Sequence, residues 1–268
     1  MLAVEDPFIA VIVVFTVPAQ IKTRAYILSA SDYRETSSLL QVFSSEEGRI
    51  SLVARGLKGA GHKKKSGAPE SFSLVQITCS LREGANLGIL GTIETEHVCV
   101  VVRENLHAYA IASYWFEIIG AAAPSRTCCQ RLFGLTETFI SCLESAAPLS
   151  APVLWHFGRL LAETGFGVEL DRCAGCDANM SEGHFDFEEC SPLCARCART
   201  GKQYFPLPFD AMRAIIPLLT ADMPCAGRSE LTPRHIMIFL HLLNELFSRN
   251  LDQRIKSFSF LLSTLGQE

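Results

Sequence analysis

The stretch SSLLQVFSSEEGRISLVARG, residues 37–56, decides the fold. Two short β runs flank the polar turn Glu46-Glu47-Gly48, where glycine can take the positive φ that closes a hairpin. Comparable runs lie on both sides: RAYILSA at 24–30 before it, and SFSLVQITCSL at 71–81 and NLGILGTIETEHVCVVV at 86–102 after it. REGAN at 82–86 reads as a second turn. Five antiparallel strands within residues 21–102 would leave raw sheet edges unless they closed on themselves. A small five-stranded OB-fold barrel is therefore the economical architecture, although periodicity alone does not separate it from an SH3-like barrel.

Beyond about Arg103 the apolar spacing becomes helical, as in ENLHAYAIASYWFEIIGAAA, CCQRLFGLTETFISCLES and APVLWHFGRLLAETGF, with Pro124, Pro148 and Pro152 near the breaks. In LTPRHIMIFLHLLNELFSR, Thr232 reads as an N-cap and Pro233 as the first helical residue, where its missing N–H costs nothing. Ile236, Phe239, Leu240, Leu243 and Phe247 share one face, a core face. The expected class is α+β multidomain: an extension at 1–20, the barrel at 21–102, and a helical domain at 103–268 interrupted by a cysteine-rich insert at 171–203.

With 268 residues, 49% apolar and 19% charged, the chain can bury a sizeable core. The apolar run at 8–19 has 12 residues, well short of the ~20 that a membrane helix needs. Glu5 and Asp6 stand where a signal peptide wants basic residues, so the expected setting is the cytoplasm, without membrane attachment. There the eleven cysteines are expected to be reduced, and a clustered set of them is open to a metal.

Cys173, Cys176, Cys194 and Cys197 form C-x2-C-x17-C-x2-C, within the spacing window of a zinc site. Two thiolates separated by two residues can share one tight knuckle and reach an ion at about 2.3 Å, and two knuckles complete a tetrahedron. Metal-free thiols or a redox pair are the other readings of this spacing, and the paired arrangement disfavours the second. The expectation is one structural zinc per chain, closed to substrate, with Cys190 a spare thiol and His184 a loop residue. A zinc-dependent enzyme is disfavoured because no H-E-x-x-H motif occurs, and no H-x-E with P-C-x-x-C.

The net charge of −4 hides an uneven distribution. Residues 21–68 hold nine basic side chains (Lys22, Arg24, Arg34, Arg49, Arg55, Lys58, Lys63, Lys64 and Lys65) against the four acids Asp32, Glu35, Glu46 and Glu47. The run GLKGAGHKKKSG at 56–67 is not a phosphate loop, because His62 and Lys63 follow Gly61 where Lys and Ser/Thr are required. As a glycine-spaced loop on a small barrel it can lay lysines along a nucleic-acid backbone. The nine basic residues are thus the candidate nucleic-acid contacts. RNA remains as admissible as DNA at this point.

The succession SDYRETSSLLQVFSSEEGRISLVARGLKG, a basic loop, and helices interrupted by ETGFGVELDRCAGC and LCARC resembles the RecO family of bacterial recombination mediators over about residues 21–265. The resemblance implies an OB-fold followed by a helical domain with a four-cysteine zinc site. It implies binding to single- and double-stranded DNA and annealing of complementary strands. It also implies loading of the RecA recombinase onto DNA coated with single-strand binding protein, with a RecR-like partner and without enzymatic turnover. Residues 1–20 and Cys190 lie outside the family pattern, and aromatic residues are sparse on the expected strands, which favours phosphate contacts over base stacking. In the acidic remainder, Arg196 with Arg199 and Arg254 with Lys256 are candidate docking cations for the acidic, hydrophobic-ended tail of the single-strand binding protein.

Overall fold

The structure, a computed structural model, describes residues 19–33, 37–55, 70–82, 87–223 and 230–265. Arg34, Lys58, Lys63, Lys64 and Lys65, named above as candidate contacts, lie outside them.

Five strands, β1 (Ala19–Tyr33), β2 (Ser37–Ser44), β3 (Gly48–Arg55), β4 (Leu74–Leu81) and β5 (Leu87–His97), form a closed barrel in the order β1-β2-β3-β5-β4. The first strand bends at a register shift between Ile27 and Ser29, so that one half pairs with β4 and the other with β2. Closure between β3 and β5 is parallel and narrow, running from Ser51↔Leu87 to Val53↔Ile89. Gly88 makes this crossing possible: a Cβ there would lie 2.3 Å from Leu81 Cδ2 and 2.9 Å from Leu52 Cδ2. Inside, Ala25, Ile27, Leu40, Val42, Ile50, Leu52, Val75 and Ile77 make the barrel's own core.

The helices follow as α1 (Val101–Glu104), α2 (Leu106–Ala122), α3 (Gln130–Ser145), α4 (Ala151–Glu163), α5 (Phe209–Thr220), α6 (Pro233–Asn250) and α7 (Ser257–Leu265). Thr232 caps α6 by accepting from the His235 amide, and His235 Nδ1 returns the bond to the Thr232 amide. Of the expected core face, Phe239, Leu240, Leu243 and Phe247 are fully buried and Ile236 partly so. Gly165, with φ +82°, ends α4 as the Phe166 amide turns back to the Leu161 carbonyl.

Barrel and helices share one core. Tyr26, Phe43 and Leu74 of the barrel wall, with Phe72 in the turn before β4, join Trp115, Phe116 and Phe133 in the helical core, with Tyr26 and Phe133 ring centroids 5.3 Å apart and Phe72 stacked on Phe116 at 5.0 Å. The expected turn at Gly48 is present, with φ +61°, and it also locks this seam. The Arg49 amide donates to the Pro124 carbonyl and the Cys129 amide to the Ser45 carbonyl, and a Cβ on Gly48 would stand 2.2 Å from the Pro124 oxygen.

The expected boundaries after residue 20 and at 102/103 lie within two residues of element ends: Ala19 and Gln20 already pair with Leu81 and Ser80 in β1, and α1 begins at Val101. One expectation, that His184 is a loop residue, is corrected. The cysteine-rich insert carries a three-stranded sheet, order β7-β6-β8, built from β6 (Gly183–Asp186), β7 (Ser191–Leu193) and β8 (Phe205–Leu207). His184 is thus a strand residue paired with Leu193 and Pro206, not a loop residue.

Candidate metal centre and nucleic-acid interface

Each C-x2-C pair sits on a tight backbone turn. In the first, the Asp177 amide bonds the Cys173 carbonyl at 2.8 Å, with Asp177 itself at φ +56°. The second is closed by the Cys197 and Ala198 amides on the Cys194 carbonyl, both at 3.0 Å. The insert sheet brings the knuckles together: the Ala174 amide bonds Pro192, the residue before Leu193 at the end of β7. Gly175 lets them meet, since a Cβ there would lie 3.0 Å from Cys197 Cβ.

The four sulfurs lie within 4.8 Å of one another, and Cys176 Sγ is 3.8 Å from Cys194 Sγ. Tetrahedral coordination at about 2.3 Å per bond places sulfurs about 3.8 Å apart, whereas a disulfide needs about 2.05 Å. The geometry suits a shared ion. The backbone amide of Cys194 holds the Cys173 thiol down to about 6, while hydrogen bonds that the Cys197 thiol donates to its three companions push Cys197 up to about 12. Four thiolates cannot crowd this volume without a compensating cation, and the donor set is the soft, closed one that a structural metal takes. Cys190 stands apart, exposed, with φ +47°.

A brace that the sequence reading missed supports the centre. Buried Asp186 pairs with Lys202 at 2.8 Å and accepts from the Glu188 amide at 3.0 Å, and these bonds, Lys202 first, hold its carboxyl below the ordinary range. Phe185, Cys173, Met180 and Leu207 belong to the main core, so the insert is anchored in the helical body.

Of the basic candidates, Lys22 on β1 and Arg55 at the end of β3 are exposed. Arg24 and Arg49 have intramolecular partners. Arg24 bridges Glu96 and Glu137, each at 2.8 Å, and lies over the Phe133 ring; its pairing with Glu96 raises its pKa. Arg49 Nη1 donates to the Gly120 carbonyl at 2.6 Å. Both span the seam between barrel and helices. Tyr26 and Phe43, the aromatic residues central to β1 and β2, are turned into the shared core and offer no ring to a base.

The family model described as Recombination protein O N terminal matches residues 19–98, and the one described as Recombination protein O C terminal matches residues 103–258. The chain belongs to the RecO family. Among relatives named DNA repair protein RecO, that of Anaeromyxobacter sp. (strain K) is 27% identical over 245 residues, covering 90% of this chain and 96% of its own length. Those of Geobacter metallireducens and Bacillus pumilus are 27% identical over 187 residues (69% of this chain, 75% of the relative) and 22% over 241 residues (90% and 93%). The two RecO matches meet between His97, where β5 ends, and Arg103 within α1. No helix among the described residues is long and apolar enough to cross a membrane.

Proposed function

We propose that this chain is a DNA-binding, strand-annealing recombination mediator of DNA repair, acting without turnover chemistry. The barrel is read as an OB-fold that neutralises phosphates with Lys22, Arg55 and the lysines at 58 and 63–65, allowing two strands to approach. Arg24 and Arg49 serve instead to hold the barrel against the helices. The observation that carries this reading is the match of both RecO halves, in order, across a barrel and helices that share one core.

Zinc is the metal that the donor set fits. Cys173, Cys176, Cys194 and Cys197 would hold it, and it would supply charge compensation and a covalent-like staple for the insert. The helical body is the partner-facing part. The cleft where Ile255 and Phe258 meet Arg254 is read as the seat of the acidic, hydrophobic-ended tail of a single-strand binding protein; its wall also carries Asp252 and Glu245, the latter paired with Arg249 at 3.3 Å. RecA loading and a RecR-like partner come from the family reading.

The rival reading, an RNA-binding barrel protein with a structural zinc, draws on the same charge. Competition between DNA and RNA single strands of matched sequence separates the two. A mediator of DNA recombination prefers the DNA strand, and an equal or stronger preference for RNA would overturn the proposal.

A further inference from the structure

The segment 124–129, between α2 and α3, lies along the turn that joins β2 to β3. The Arg49 amide donates to the Pro124 carbonyl at 3.0 Å, Ser125 bridges Gly48 and Arg49, and Arg126 pairs with Glu47 at 3.3 Å. The segment ends on two adjacent cysteines, Cys128 and Cys129. The Cys129 amide donates to the Ser45 carbonyl at 2.7 Å, and its thiol donates to the Thr127 carbonyl at 3.2 Å. Its own carbonyl accepts from the Phe133 amide at 2.9 Å and opens the first turn of α3. One cysteine is thus tied at once to the barrel and to a helix.

The two thiols stand in different surroundings. Cys128 is exposed, whereas Cys129 is partly buried, with its sulfur 3.4 Å from the place a Cβ on Gly48 would take. Burial first, and the neighbouring Cys128 second, push the Cys129 thiol up and keep it protonated. Thiol–disulfide exchange starts from an accessible sulfur, and Cys128 supplies it. Both residues line a cleft of about 590 Å³ between the start of α3 and the end of α4, with Gln130, Arg131 and Glu163 also on its wall. The cleft has room for the small group that a mixed disulfide would add to Cys128.

We propose that Cys128 and Cys129 are a thiol-modification site: Cys128 exchanges with a low-molecular-weight disulfide, and Cys129 then closes a vicinal disulfide that loosens the helices from the β2–β3 turn. The Cys128 thiolate attacks one sulfur of the small disulfide RSSR, forming Cys128–S–S–R and expelling RS⁻. The Cys129 sulfur then attacks the Cys128 sulfur and expels the second RS⁻. The protons given up by the two cysteines end on the two RS⁻, so the pair is oxidised by two electrons and RSSR is reduced to two RSH. Adjacent Cα atoms stand about 3.8 Å apart, closer than the about 4.4–6.8 Å that a disulfide ordinarily spans, so ring closure must twist the 128–129 peptide. The N–H of that peptide is the one that holds the Ser45 carbonyl. Closing the ring therefore turns it off the barrel.

The test treats the full chain, as purified, with glutathione disulfide, then alkylates and digests it and maps the cysteines by mass spectrometry. The wild type should yield a 128–129 peptide lighter by two hydrogens. Cys129→Ser should keep a glutathione adduct on Cys128, and Cys128→Ser should show neither product. Urea unfolding should find the oxidised wild type less stable by at least about fivefold in its folding equilibrium, the equivalent of one net hydrogen bond, with recovery in dithiothreitol. Cys128→Ser given the same treatment should be unchanged. A wild-type adduct that stays on Cys128, no reaction at either residue, or a closed disulfide with unchanged unfolding would each overturn the proposal. Metal content is followed alongside: an equal loss of stability in Cys128→Ser, in step with metal release, would assign the effect to the four-cysteine cluster and overturn it likewise.

Discussion

Replacing Gly48 with alanine should separate the barrel from the helices energetically while leaving both chemically intact. Gly48 has φ +61°, and moving an L-residue into that region costs about 1–2 kcal/mol. The added Cβ would lie 2.2 Å from the Pro124 oxygen and 2.8 Å from the Thr127 oxygen, so the 124–129 segment must retreat. That retreat strains the bonds from the Arg49 amide to Pro124 and from the Cys129 amide to Ser45, each worth about 1 kcal/mol net. The expected loss is about 3–4 kcal/mol, a large part of the about 5–15 kcal/mol that holds a typical domain. Urea unfolding followed by Trp fluorescence reads it, since Trp115 is fully buried in the shared core. Gly134→Ala is the matched control. Among the described residues nothing lies within 4 Å of a Cβ at that position in α3, and the change should stabilise by about 0.5–1 kcal/mol. A loss at Gly48 below about 1 kcal/mol would refute the locked seam.

Three further outcomes are expected. Purified chain should carry one zinc per molecule, lost with its contribution to the melting temperature in Cys173→Ser; metal analysis showing stoichiometric iron, or unchanged melting without metal, would contradict this. Changing Lys63, Lys64 and Lys65 to Glu should weaken binding to all DNA sequences alike and reduce the slope of log affinity against log salt by about 0.7–0.9 per lost phosphate contact. Burial depresses the His156 pKa, and its Nε2 has no hydrogen-bond partner among the described residues, so the unfolded chain binds the proton more readily. Stability should therefore be complete above the unfolded pKa of about 6.5 and fall by up to about 1.4 kcal/mol per pH unit below it. His156→Phe should flatten that dependence relative to wild type, and identical pH profiles for the two would count against a neutral buried imidazole.

Local signals carried well into three dimensions where the physics is local. Gly48 between two β runs, Thr232-Pro233 before an apolar face, and two C-x2-C pairs each act over a few residues, and each is where it was expected. What was not legible depends on packing between distant segments. The three-residue strands β7 and β8 contain Pro192 and Pro206, a weak strand signal that pairing with β6 overrides. Arg24 and Arg49 read as surface cations until Glu96, Glu137 and the Gly120 carbonyl arrive from other elements. Likewise Glu117 on α2, which binds the Lys256 and Ser257 amides at 2.8 and 2.7 Å and so caps α7, is separated from them by well over a hundred residues of chain. The shared core also bears on dissection: a barrel cut away at residue 100 would expose Tyr26, Phe43, Phe72 and Leu74, so function is best probed in the full chain.

The most direct test of a recombination mediator is annealing of complementary oligonucleotides that have first been coated with cognate single-strand binding protein. Full-length chain should accelerate annealing of the coated strands, and Lys63, Lys64 and Lys65 changed together to Glu should abolish the acceleration. Coated strands that anneal no faster with the chain than without it, while naked strands do, would leave a simple DNA binder and contradict the account.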